Sequence, residues 1–142
     1  MSKRERDRGK LGERELAAVF RARRWPNARR GQQRSGLDQA DVVDGPDGCH
    51  FEVKRVERLV WRTAMQQAID DAAAATVAAG ALARSAGGVP PSSVIPVVAT
   101  RRNQDEWFAL LRLDDLLDML EVVEDARCWD ARGREDSRGL LD

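Results

Sequence analysis

Three charged side chains in residues 41–55, DVVDGPDGCHFEVKR, have types and a spacing that could do chemistry. Asp41 opens one predicted strand, and Glu52 and Lys54 lie two residues apart in the next. Because side chains alternate along a strand, Glu52 and Lys54 point to the same face. The Gly-Pro-Asp-Gly turn between the strands predicts a hairpin, which would bring Asp41 close to Glu52.

Such a set suits the metal-dependent hydrolysis of a phosphodiester. Carboxylates, a backbone carbonyl and waters are the ligands that Mg²⁺ prefers. An ammonium on the same face could orient the metal-bound water or offset charge on the phosphate. For Glu-x-Lys alone, an ordinary surface ion pair is the better interpretation. The aspartate upstream, and a basic helix before it, favour the chemical interpretation.

The helix predicted over residues 9–24 places a further carboxylate. Its apolar side is centred on Phe20, and Pro26 marks its end. Glu13 lies at the border of that side, where a carboxylate could face a metal or a water, although such a glutamate is more often solvated. On the other side of the helix Lys10, Arg14 and Arg21 form a basic stripe.

The remaining elements predict a single α/β domain with a mixed sheet over residues 1–126, in the order α-β-β-β-α-β-β-α. From residue 127 onward the sequence lacks periodicity and predicts a flexible C-terminal tail. The elements between are a short strand and loop at 28–40, the hairpin, an Ala-rich helix at 61–83, strands at 94–100 and 106–113, and an acidic helix at 114–125.

Charge is distributed unevenly over a chain of zero net charge. Residues 1–34 contain twelve Lys/Arg and four Asp/Glu, a net charge of +8, whereas residues 103–142 contain five and twelve, a net charge of −7. A basic half is typical of a surface that faces nucleic acid, and equally of a merely solvated surface.

Several classes of protein are excluded by composition. No apolar run approaches the ~20 residues that span a bilayer, and no apolar segment follows the basic start, so we expect a cytoplasmic protein that does not contact a membrane. The two cysteines, Cys49 and Cys128, are far apart, and His50 is the single histidine. This set argues against a zinc site. Cys49 and His50 are adjacent on a strand and point to opposite faces, which excludes a nucleophilic pair.

The helix segment Glu13-Arg14-Glu15, the strand residue Asp41 and the tripeptide Glu52-Val53-Lys54 together resemble the PD-(D/E)xK nuclease superfamily. The likeness is strongest to the small Holliday-junction resolvases of archaea and to related phage endonucleases. It covers most of residues 9–120, through RRGQQRSGLDQADVVD, FEVKRVER, AMQQA and VVATRRN. The resemblance implies a restriction-endonuclease-like core, in which a mixed sheet carries helices on both faces.

The resemblance also implies an activity and its residues. The chain would be a Mg²⁺-dependent DNA endonuclease, with Mn²⁺ as a substitute, acting as a homodimer on Holliday junctions or other branched DNA. Its catalytic residues would be Glu13, Asp41, Glu52 and Lys54, supported by Gln67. Its metal ligands would be Asp41, Glu52, Glu13 and the carbonyl of Val53. The predicted DNA-binding residues are Lys10, Arg14, Arg21, Arg29, Arg30, Gln32, Arg34 and Arg55.

Alternatives stay open at this point. Ala40 stands where the superfamily has a proline, Asp38 and Asp44 rival Asp41, and Glu15 rivals Glu13. The substrate could be duplex or flapped DNA, or the chain could be a non-catalytic DNA-binding module of the same fold. Either the Ala-rich helix or the acidic helix could form the dimer contact. The expected setting is the cytoplasm of a bacterial, archaeal or phage-infected cell.

Overall fold

The computed structural model describes residues 2–31, 40–89 and 93–138, with the backbone alone for 131–138. Its elements confirm the mixed α/β class and follow the predicted order. A first compact unit ends at Leu111, and a second begins at Arg112 and contains the last helix. The elements are α1 (Lys3–Arg21), β1 (Arg29–Arg30), β2 (Val42–Val43), β3 (Cys49–Arg55), α2 (Trp61–Ser85), β4 (Ile95–Arg101), β5 (Phe108–Leu110) and α3 (Leu113–Arg138).

The central sheet has the order β3-β4-β5, with β3 parallel to β4 and β4 antiparallel to β5. A second, two-stranded sheet joins β1 to β2. The predicted hairpin of β2 and β3 is therefore wrong: across the described ranges, β2 forms its ladder with β1, and β3 forms its ladder with β4. The reason lies at Asp41, whose carboxylate accepts the hydrogen bond of Val53 N–H that a hairpin would give to a backbone carbonyl.

The two faces of β3 pack against different helices. Val53, with Phe51 beside it, joins a core with Leu16, Ala17 and Phe20 of α1. On the opposite face Ala64, Met65 and Ala68 of α2 surround Val98 of β4. The alternation predicted from sequence places His50, Glu52 and Lys54 on the α2 face.

Helix α1 begins earlier and ends earlier than the prediction of 9–24. Its start is a capping box, in which Ser2 accepts from the Glu5 N–H and Glu5 accepts from the Ser2 N–H. This reciprocal pair satisfies free N–H groups of the first turn and adds nearly two turns to the helix. At the other end Ala22 caps the helix, well before Pro26.

Helix α3 runs to Arg138 and so continues past residue 126, after which a flexible tail was predicted. Residues 127–138 include four arginines, which favour helix. Residues 139–142 lie outside the described part. Within that part, no helix has the length and apolar content needed to cross a membrane.

Candidate metal and active site

A cleft of about 310 Å³ opens where β3 meets α1, β1 and the start of α2. All five predicted catalytic residues line it, although three different elements and a loop carry them. The lining consists of Glu5, Arg6, Gly9, Lys10, Glu13, Arg30, Asp41, Glu52, Val53, Lys54 and Gln67.

Glu52 and Lys54 form an ion pair on the α2 face of β3. The Lys54 Nζ atom lies 2.6 Å from Glu52 Oε1, and the Glu52 side chain is 7% exposed. Lys54 also donates to Gln67 Oε1 at 2.9 Å. The predicted orientation of the two side chains is thereby confirmed. Glu52 and Gln67 together hold the ammonium in one position at the cleft.

Asp41 is the most perturbed carboxyl group of the cleft. Its Oδ2 accepts from Val53 N–H at 2.7 Å. Burial raises the pKa of Asp41 to about 7, and the charges of Glu52 and Glu13 add to the rise, against the Val53 hydrogen bond and Lys54. A bound cation would stabilise the ionised form of such crowded carboxyl groups and so relieve their mutual repulsion.

The donor set fits a divalent cation with oxygen ligands. Asp41 and Glu52 supply carboxylates to the cleft that Val53 also lines. Because the Val53 N–H points to Asp41 and not to β4, its carbonyl points to the same open edge of the strand. These three groups are the ones expected to hold Mg²⁺.

Glu13 reaches the cleft from α1, and its carboxylate accepts a hydrogen bond from Arg30 Nε. The rival Glu15 instead accepts from Arg55 Nε at 3.0 Å and lies 3.8 Å from Arg101 Nη1. Glu15 is outside the cleft lining. The geometry therefore favours Glu13 over Glu15 as the carboxylate of the site.

Two of the predicted DNA-binding residues, Lys10 and Arg30, line the cleft. Arg14 is exposed on α1, and Arg29 is exposed and pairs with Asp44 at 3.1 Å. Asp44 lies outside the lining, which removes it from the site that Asp41 occupies. Gln32 and Arg34, and the rival Asp38, fall outside the described residues.

Arg21 and Arg55 are placed differently from the other predicted DNA-binding residues. Arg21 donates to the Ala28 carbonyl at 2.8 Å and so holds the segment between α1 and β1. Arg55 is 13% exposed and bonds to Glu15 and to Asn103. The structure does not bring either guanidinium to the cleft.

Sequence reasoning missed two sets of residues at this site. The first, Glu5 and Arg6, joins the cleft because α1 starts early, and the Ser-x-x-Glu pattern at residues 2–5 was the available signal. The second is His50 with Asp71 of α2, whose potential ligand atoms lie near those of Glu52. No sequence signal shows which turn of α2 faces His50.

Comparisons of the chain with protein-family models, with curated proteins and with solved structures found no match.

Proposed function

We propose that the chain is a Mg²⁺-dependent endonuclease that hydrolyses phosphodiester bonds in Holliday junctions or other branched DNA. One observation carries the proposal. Glu13, Asp41 and the pair of Glu52 and Lys54 come from three separate parts of the sequence and line one cleft, where burial, with the charges of Glu52 and Glu13, raises the pKa of Asp41 to about 7. A chain that used Glu52 and Lys54 only as a surface ion pair would have no need of the other two.

The carboxylates of Asp41 and Glu52 and the carbonyl of Val53 are the groups that would hold the metal. Mg²⁺ would supply a Lewis acid and lower the pKa of a bound water, and Mn²⁺ is expected to replace it. Lys54, fixed by Glu52 and Gln67, presents its ammonium to the charge that develops on the phosphate. Glu13 adds a third carboxylate, which its pair with Arg30 keeps at the cleft.

The basic side chains around the cleft support a polyanionic substrate. Arg6, Lys10 and Arg30 line the same cleft as the carboxylates, and Arg14 is exposed on the same helix. A backbone phosphate can therefore contact cations while its neighbour reaches the acidic centre. This arrangement supports DNA more than a small phosphate ester, because the cations extend beyond the catalytic group along α1.

We also propose that the mixed α/β fold is a restriction-endonuclease-like core and that two chains act together. A four-way junction has two equivalent scissile strands, which a symmetric dimer can engage at once. Among the side chains described for α3, Leu113, Leu117, Leu120 and Val123 are large, apolar and exposed, so this helix is a candidate dimer contact, as is the Ala-rich α2. Such a dimer would act on DNA in the cytoplasm of a bacterial, archaeal or phage-infected cell.

A cleavage assay tests this function directly. Labelled four-way junction, flap, duplex and single-stranded DNA are incubated with the chain in Mg²⁺ and in EDTA. Symmetric cuts in the junction that require Mg²⁺ are expected, and Glu52→Gln run in parallel should leave the junction uncut. If flap or duplex DNA is cut in preference to the junction, that DNA is the substrate and the junction is not. Binding of junction without any cut, in Mg²⁺ and in Mn²⁺, would contradict the enzyme proposal and indicate a non-catalytic DNA-binding module.

A further inference from the structure

A second group of potential metal ligands lies on the α2 face of β3, next to the proposed Mg²⁺ site. One ligand atom each from His50, Glu52 and Asp71 can be chosen so that all lie within 4.8 Å of one another. The placement follows from two periodicities: His50, Glu52 and Lys54 alternate on one face of the strand, and Gln67 and Asp71 are one turn apart on α2. Lys54 meets Gln67, and the next turn of the helix brings Asp71 to His50 and Glu52.

His50 is the informative member of this group. His50 is only 5% exposed, and Glu52 is equally buried. Within the described ranges, the His50 ring makes no hydrogen bond. One of its nitrogens lies within 4.8 Å of a carboxylate oxygen of Glu52 and of Asp71. An imidazole nitrogen grouped this closely with carboxylate oxygens from a strand and from a helix has the surroundings of a metal ligand.

We propose that His50, Glu52 and Asp71 bind a divalent transition-metal ion, for which Zn²⁺ is the probe, and that this site shares Glu52 with the proposed Mg²⁺ site. Imidazole nitrogen favours Zn²⁺ and related ions, whereas Mg²⁺ takes oxygen ligands almost exclusively. Three protein ligands and a water complete the four-coordinate geometry that Zn²⁺ adopts outside closed structural sites. Paired sites that share a carboxylate typically hold their metals ~3.5–4 Å apart.

The two distant cysteines and the single histidine argue against a zinc site made of Cys and His ligands, but not against one in which carboxylates supply most ligands. A single histidine suffices here because the other two ligands are carboxylates, one on a strand and one on a helix. The site does not depend on nuclease activity, because metal binding can be measured without DNA. Failure of the cleavage assay and failure of the zinc site are therefore separate results.

The test is a Zn²⁺ titration of the metal-free full chain in competition with a fluorescent chelator. Wild type should bind one equivalent, and His50→Gln and Asp71→Asn should each bind at least about tenfold more weakly, the loss typical even of groups that only support a ligand. Asp70→Asn is the matched control, because Asp70 is the exposed neighbour of Asp71 and accepts from Gln66. It should bind like wild type.

Two further measurements keep the result interpretable. Co²⁺ in place of Zn²⁺ should give visible absorption bands in wild type and in Cys128→Ser, which excludes binding by that exposed thiol. Asp41→Asn should keep the Zn²⁺ site although it alters the Mg²⁺ site. Circular dichroism checks that His50→Gln is folded. Asp71→Asn, at a half-buried position of α2, tests the same site if His50→Gln does not fold. Equal Zn²⁺ affinity in wild type, His50→Gln and Asp71→Asn would overturn the proposal.

Discussion

Strand β3 carries two ion pairs on consecutive residues, and they have different surroundings. Lys54 pairs with Glu52 two residues away on the same strand, at the cleft and beside Asp41. Arg55 points to the other face and pairs with Glu15 of α1, outside the cleft. Both pairs join a cation of β3 to a nearby glutamate, yet only the first has additional carboxylates close enough to raise a pKa.

The comparison shows that a charged pair indicates chemistry only when its charges do not balance locally. Around Arg55, Glu15 is shared with Arg101, so cations outnumber the carboxylate. Around Lys54, Glu52 takes the ammonium, and burial, with the charges of Glu52 and Glu13, raises the pKa of Asp41 to about 7. A metal ion can displace that proton and neutralise the carboxylates. The pair at Arg55 instead joins α1 to the sheet.

The largest effect is expected from neutralising one carboxylate of the cleft, compared with neutralising Glu15 in the Arg55 region. Asp41→Asn and Glu52→Gln should lower Mg²⁺-dependent cleavage by more than ~10³-fold, since loss of one preorganised group alone costs ~10²–10³. Glu15→Gln, the control in the other region, should stay within a few-fold of wild type. Junction binding should persist in all three, because phosphates are held by Lys and Arg. Single-turnover cleavage and gel-shift titration measure the two quantities, and comparable losses in Glu15→Gln would erase the distinction between the regions.

Replacing the two cations separates catalysis from stability. Lys54→Met keeps the aliphatic stem and should reduce cleavage ~10²–10³-fold with little change in the melting temperature. Arg55→Met breaks a mostly buried pair with Glu15 and should cost about 1–2 kcal/mol of stability, reduced by the partial exposure of Glu15, while cleavage persists. Thermal melting and cleavage of both variants decide the matter. Near-normal cleavage by Lys54→Met would indicate that the pair of Lys54 and Glu52 is an ordinary surface ion pair.

The raised pKa of Asp41 predicts opposite pH dependences for stability and metal binding. An unfolded aspartate has a pKa of ~3.9, whereas that of folded Asp41 is about 7. The folded chain therefore holds the proton more tightly, and this contribution to stability is complete below about pH 4 and is lost as pH rises through 7. Mg²⁺ affinity should rise over the same range, because the metal displaces the proton.

Metal-free wild type should lose about 1–2 kcal/mol more stability than Asp41→Asn over this pH range, after allowance for the partial exposure of Asp41. Urea unfolding at several pH values measures this difference, and calorimetric Mg²⁺ titration measures the affinity. Identical pH profiles for the two proteins would show that the pKa of Asp41 is not raised. Glu15→Gln, whose carboxylate is outside the cleft, is the control and should follow wild type.

A final prediction concerns the packing that creates the Arg55 region and affects stability alone. A Cβ atom at Gly12 of α1 would lie 2.9 Å from Arg55 Cβ and 3.3 Å from Val53 Cγ1, whereas at Gly9 nothing lies within 4 Å. Gly12→Ala should therefore destabilise the fold by ~1–3 kcal/mol, the usual result of overpacking. Gly9→Ala should stabilise it by ~0.5–1 kcal/mol, because alanine favours helix. Chemical denaturation of the pair measures both, and equal changes would mean that α1 does not approach β3 closely.

The sequence predicted the element types and the shared face of Glu52 and Lys54, because these depend on local periodicity. Asp41 was expected beside them through the hairpin and the resemblance, Glu13 and Gln67 through the resemblance alone, and Glu5 and Arg6 of the cleft lining were not predicted. It did not predict the partner of β2, since a side chain of Asp41 replaces a backbone acceptor and such a substitution leaves no pattern. It also could not relate Asp71 to His50. That contact depends on how α2 lies on the sheet, which packing of small alanines determines.

The hydrogen bond from Val53 N–H to Asp41 has a consequence for how copies of the chain avoid one another. Across the described residues, β3 has a ladder with β4 alone, so its other edge presents backbone groups that a foreign strand could join. The side chain of Asp41 occupies the N–H donor of Val53 on that edge, so a foreign strand cannot pair with it. The same side chain that is proposed to bind metal thus blocks one pairing position on an open strand edge.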